Sequence, residues 1–332
     1  MMRSTDVIMK RSIGETSTSQ AQTGLHGSIA PDANGEHTMA DIKIETILTA
    51  PRGKPVPIYR LAAPSVNEKA IRELAKRLGL QADRKGALTS DADKFIYSEG
   101  HFELTMHRAS GAIRFIDRAS WQVDDRKSDL NIEDAAASRL AQAIARKYKL
   151  APGAETTFFK AARLHVGEAT AAGNEASDRV IDVAVALQRV VNKTPVDGPG
   201  GTIIVYFNAE RHMTGFQQIW RKLGAVHKRS ASYRSPESAV EDMAAHFAKK
   251  RAVIEVQEVR FGYFEEGPRS MQRYLQPAYV IIGMVVSADG QVRKRTIYVA
   301  PALTNHAGAI TPPLESQRPQ RRRTETKTGK TR

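Results

Sequence analysis

Residues 188–216, QRVVNKTPVDGPGGTIIVYFNAERHMTGF, constrain the fold more than any other stretch of this chain. Val190 and Val191 close one β-branched run, and Ile203–Phe207 form a second. Between them Pro195, Gly198, Pro199, Gly200 and Gly201 make a punctuated loop, and Asn208–Arg211 make a polar turn. β-Branched runs bounded by Pro/Gly clusters are strands joined by turns. The stretch also sits inside a helix-then-strands order that the chain writes three times. An amphipathic helix must bury its apolar stripe, and a sheet offers one face for that purpose. The expected fold class is therefore α+β: two or three repeated units of one helix packed on an antiparallel sheet, with disordered N- and C-terminal tails.

The first unit, 46–125, opens with PVPIYRL and a helix start at Ser65 and Glu68, a capping-box pair. Val66, Ala70, Ile71, Leu74 and Leu78 follow at helical spacing, and Gly79 ends the helix. Phe95–Trp121 alternates as two or three strands, with turns at Gly100 and at Ser110–Gly111. The second unit, 126–230, places Ile132, Ala136, Leu140, Ile144 and Tyr148 on one helical stripe, then strands at Thr157–Val166, Arg179–Val191 and Thr202–Asn208. The third, 231–303, starts its helix at Ser235-Pro236-Glu237, with Pro at the first helical position and an acid at the positive end of the dipole. Val240, Met243, Ala244 and Phe247 form its stripe, expected to face Val280, Ile282 and Met284 on a strand that leads to an Asp289-Gly290 hairpin. A single mixed sheet shared by two units is the rival arrangement. Segments 1–45 and 304–332 carry no apolar period and read as disordered.

NKTPVDGPGG (192–201) between Val-rich strands resembles the PepSY-type domains of metallopeptidase propeptides. In the third unit, RFGYF, LQPAYVIIGMVVSADG and IYVAPA after the helix resemble regulatory proteins of the YycH and YycI type. The resemblance implies a non-catalytic protein that binds or restrains another protein, and it implies an extracytoplasmic site of action. Residue patterns point elsewhere on location. The N-terminal segment has no apolar core of a secretory signal, and no run reaches the ~18 apolar residues of a membrane span. A cytoplasmic address is the default expectation.

Composition narrows the chemistry. Cysteine is absent, which removes disulfides, thiolate nucleophiles and Cys-based metal sites. The net charge is +14, and Glu315–Arg332 holds seven basic residues against two acidic ones. Arg321, Arg322 and Arg323 are the densest cluster, so a polyanion or nucleic acid is the alternative partner, met through this tail. His101, Glu103 and His107 alternate onto one face of a presumed strand, but with Phe102, Leu104 and Met106 opposite they read as its solvent side. No metal and no cofactor is expected. DGPGG (197–201) lacks the Lys-Ser/Thr and helix of a P-loop and reads as a turn. Glu265-Glu266 reads as two solvent-facing acids, and no nucleophile elbow is present, so no catalytic residue is assigned. The expected contact residues are Trp220, Tyr263, Tyr274, Gln276, Pro277 and Tyr279, because large rigid rings concentrate at binding hot spots. Pro277 in particular suggests a free sheet edge able to accept a partner strand.

Overall fold

The computed structural model describes residues 7–12, 42–44, 53–81, 87–121, 130–169, 175–247, 252–287 and 290–310. In chain order the elements are β1 (Val7–Ser12), β2 (Ile42–Ile44), β3 (Val56–Leu61), α1 (Glu68–Arg77), β4 (Leu88–Ser90), β5 (Lys94–Glu99), β6 (Phe102–His107), β7 (Ile113–Asp117), α2 (Asp134–Lys147), β8 (Thr156–Ala169), β9 (Glu175–Val191), β10 (Thr194–Asp197), β11 (Thr202–Asn208), β12 (Met213–Ile219), β13 (Leu223–Ser230), α3 (Pro236–Phe247), β14 (Ala252–Phe264), β15 (Tyr274–Ser287) and β16 (Arg293–Pro301).

The repeated-unit expectation is overturned. Among the described residues the strands join into one connected mixed sheet of sixteen, with the main path β13-β3-β15-β14-β10-β9-β11-β12-β7-β6-β5-β4. Two pairings weld what the local pattern separates. β12 pairs antiparallel with β7, Phe216 opposite Phe115, so the strands after α1 and after α2 form one surface. β10 pairs with β9 on one side and runs parallel to β14 on the other, joining that surface to the strands around α3. Each join satisfies backbone groups that a separate unit would leave as an open edge.

Two main cores follow. Ile71 and Leu74 of α1 and Ala137, Ala141 and Ile144 of α2 bury in a single cluster with Tyr97, Leu104, Val183, Val185 and Phe216. α1 is capped by Asn67, whose side chain accepts from the Ala70 amide at 2.9 Å, rather than by Ser65. α2 is turned relative to the expected stripe: Ala137, Ala141, Ile144 and Ala145 are buried, while Leu140 and Tyr148 lie at the margin. Small alanines let that helix sit close to the sheet.

The second core holds α3, whose Val240, Met243, Ala244 and Phe247 pack with Tyr279, Ile281, Ile254 and Val256. The expected stripe is the observed one, but the sheet face is reversed. Tyr279 and Ile281 meet the helix, and Val280 lies opposite, with Phe264, Val299 and Ile310. Because strand side chains alternate with period two, both faces of an all-apolar run fit a helix equally well.

The expected disordered tails also need amendment. Val7–Ser12 forms a strand paired with β8. At the other end, Thr304 donates its amide to Ser232, and Ile310 is buried. No helix of the described residues is long and apolar enough to cross a membrane.

Candidate binding site

The charged residues buried at the junction of the two cores are the part of the molecule that sequence reasoning missed. Arg189 on β9 and Arg221, just after β12, are almost fully buried, and Glu265, just after β14, is completely so. The Arg221 backbone amide donates to the Glu265 carboxylate at 2.9 Å, and the Arg221 guanidinium lies 3.3 Å from it. The same guanidinium donates to the carbonyls of Glu266, Gly267 and Ser270 at 2.7–2.8 Å. Arg189 stands 3.5 Å from Glu265, donates to the Arg221 carbonyl at 2.7 Å, and forks onto Glu155 at 2.8 and 3.0 Å. Burial pushes the Glu265 carboxyl up from the usual range, opposed by the Arg221 amide and both guanidiniums. Burial likewise lowers the Arg221 guanidinium, with Glu265 opposing. A carboxylate held by an amide and two arginines is a fixed structural anchor, since an unpaired buried charge is far costlier.

The DGPGG loop closes over this anchor. Gly200 donates its amide to the Glu265 carbonyl, and Glu265 donates its own to the Asp197 carbonyl, both at 2.9 Å. A Cβ on Gly198 would lie 2.5 Å from the Glu265 carbonyl oxygen, and one on Gly200 2.5 Å from the Glu265 Cγ. The glycines are there because two backbones approach closely. The loop is a turn, as its sequence indicates, but Glu265 and Glu266 are buried beneath it and not in solvent.

Above the anchor lies a cavity of about 620 Å³, lined in part by Arg146, Lys149, Glu155, Arg189, Trp220 and Lys222. Trp220 is half-buried, and the Arg189 guanidinium sits 4.7 Å from its ring centroid. Arg146, Lys149 and Lys222 are exposed at the rim. The lining thus sets four cations against a single acid, Glu155, which Arg189 already engages. Chemically the site can hold an anion at its rim and an apolar group against the indole.

Of the expected contact residues, only Trp220 is placed on this cavity. Tyr274 is half-buried beside His227, ring centroids 4.9 Å apart. Tyr263 and Tyr279 are core residues that donate to the carbonyls of Pro57 and Arg234. Burial raises both phenols, Tyr279 to about 12. Gln276 is buried and ties down the 307–308 turn, donating to Gly308 and accepting from the Ala307 amide. Pro277 is no edge residue: β15 lies between β14 and β16, with Pro277 opposite Tyr263. Burial removes these four side chains from any contact surface. Arg321, Arg322 and Arg323 lie outside the described residues.

His101, Glu103 and His107 are not gathered. Glu103 pairs with Arg118, His101 faces Asp117 at 3.5 Å, and the His107 Nδ1 is buried without a hydrogen-bond partner. Burial, aided by Arg269 and Lys94, lowers the His107 imidazole below its usual range. A weak signal for the missed anchor exists in the sequence. Arg189 interrupts the apolar run VAVALQRVV, and a lone cation in a buried strand requires a partner.

No family model matches the chain, and no curated protein matches it. Among solved structures it is similar to an uncharacterized protein from Eubacterium rectale ATCC 33656, at 12% identity and a TM-score of 0.44, with 82% of this chain and 91% of that one covered.

Proposed function

We propose that this protein is a non-catalytic binding protein whose Trp220 cavity takes a carboxylate-bearing segment of a partner protein. The observation that carries the reading is the convergence of an indole and four cations, with one engaged acid, on a cavity whose floor is fixed by buried ion pairs. Such a site is preorganised: Arg189 and Trp220 are held before a ligand arrives, so little ordering entropy is lost on binding. The buried Glu265 is engaged by arginines instead of being available for proton transfer. The test is affinity capture from the native host with the full chain, followed by titration of the captured protein. Trp220→Ala together with Lys222→Glu should weaken that complex at least tenfold while leaving the melting temperature within a few degrees. An equal affinity for the altered chain would refute the site.

A further inference from the structure

α1 and α2 end in the same backbone motif, and only the second end borders the Trp220 cavity. After α1, Leu78 donates its amide to Leu74, Gly79 to Lys76 and Leu80 to Ala75, at 3.0 Å. After α2, Tyr148 donates to Ile144, Lys149 to Arg146 and Leu150 to Ala145, at 2.9–3.1 Å. The leucine that closes each motif is buried. The residue before it is left-handed in both, Gly79 at φ +84° and Lys149 at φ +54°. Glycine is the usual occupant of this position, because a Cβ there crowds the backbone. α2 puts a lysine where α1 has glycine, and carries the strain.

Capping does not account for the lysine. The carbonyls of Ile144, Ala145 and Arg146 take the three amides, that of Tyr148 accepts from Arg77, and that of Leu150 from Gln218. Arg146 and Lys147 already supply the positive charge that a helix end favours. Asn192, Lys193 and Arg211 are also left-handed, but they turn β-hairpins and do not line the cavity. Lys149 lines it and is paired with no acid among the described residues. The same holds for Arg146 and Lys222, whereas Arg189 and Glu155 neutralise each other. Three uncompensated cations therefore share the cavity with an apolar wall of Trp220, Leu150 and Leu223.

We propose that Lys149 is a ligand-binding residue of this cavity, kept at a left-handed position for its charge. The ligand it implies is a segment with at least two carboxylates beside an apolar side chain. One carboxylate would leave two of the three cations without a partner, and the apolar wall needs a group of its own kind. This role rests on the Trp220 cavity being the contact site. It has a consequence that a merely structural lysine would not have: removing the charge strengthens the fold and weakens the complex.

The experiment exchanges the two helix ends in the full chain. Lys149→Gly should raise the melting temperature by roughly 2–4 °C, and Gly79→Lys should lower it by a similar amount. The binding probe is a labelled, end-blocked peptide, Glu-Glu-Phe-Glu-Glu, followed by fluorescence anisotropy. Lys149→Gly should weaken it by about fivefold or more, and Lys149→Arg should restore the parent affinity. Lys147→Ala removes a cation from the same helix end but outside the cavity lining, and should change the affinity by less than about twofold. Unchanged binding in Lys149→Gly would overturn the proposal, as would a lower melting temperature in that variant or no measurable binding to the parent chain. Equal losses from Lys149→Gly and Lys147→Ala would overturn it too, by reducing the effect to net charge. Loss of the peptide in Trp220→Ala but not in Lys149→Gly would refute the role of Lys149 and leave the cavity as the site. The reverse result would remove the cavity, and the role with it.

Discussion

The strands around α1 and α2 and those around α3 are written in the same local pattern but solve burial differently. In the first region two helices share one face of one sheet, and α1 and α2 contribute to a single core. In the second, among the described residues, one helix covers one face of β14–β16, and the reverse face is buried by Val280, Val299, Phe264 and Ile310. The difference teaches that a helix-plus-meander pattern specifies a building block and leaves its neighbours open. Between the regions lies the charged junction of Arg189, Arg221 and Glu265, and its loss should be felt on both sides.

The largest effects test whether the regions unfold together. Phe247→Ala in the α3 core should cost about 3–5 kcal/mol, and Leu74→Ala in the shared core about 2–5 kcal/mol. Urea denaturation followed separately by the fluorescence of Trp121 and Trp220 and by hydrogen exchange in β15 should move together for both changes. Separate transitions would mean that the joining strands do not couple the cores.

Next comes the junction. Arg221→Met leaves Glu265 buried with one partner fewer and should cost about 3–5 kcal/mol. Combining it with Glu265→Leu should recover much of that loss in a double-mutant cycle. Purely additive losses would show that the two residues act independently. Gly198→Ala should cost about 1–3 kcal/mol, because the residue has φ +108° and the new Cβ would press on the Glu265 carbonyl. A neutral outcome in thermal unfolding would mean that the loop does not clasp the anchor.

The smallest effect concerns Asp197. Burial raises its carboxyl above the usual range, with Arg260 opposing, and its Oδ2 has no hydrogen-bond partner. A raised folded value makes the native state bind more protons than the unfolded one. The stability from this group is therefore fully present below its unfolded pKa and lost as pH rises through the folded one. Asp197→Asn should flatten that decline and raise the melting temperature at neutral pH. A steeper loss of stability above the carboxylate range in the variant would reverse the assignment.

Much of the secondary structure was legible. Gly100 and Gly111 do turn the strands they separate, at φ +58° and +71°. Pro236 opens α3, and the Val240–Phe247 stripe is buried. Legibility stopped where a pattern had two equal solutions. In AYVIIGMVV both alternate sets are apolar, so which set meets the helix was not encoded locally. Aromatic residues were poor guides to the surface for the same reason: Tyr263 and Tyr279 suit a core as well as an interface, and only Trp220 lies on the cavity. The rim cations Arg146 and Lys149 lie more than seventy positions from Lys222, and the three become a group only in the fold.

By itself the sequence determined where the three described helices run and where glycines turn the strands between them, because periodicity and glycines act over a few residues. Tertiary structure alone decided that β12 meets β7, that β10 joins β9 to β14, and that Glu265 lies between two arginines. Those choices depend on backbone and charge partners distant in the chain. A strand edge records only that it needs a partner, and the partner's identity is settled by what the whole chain can bring to it.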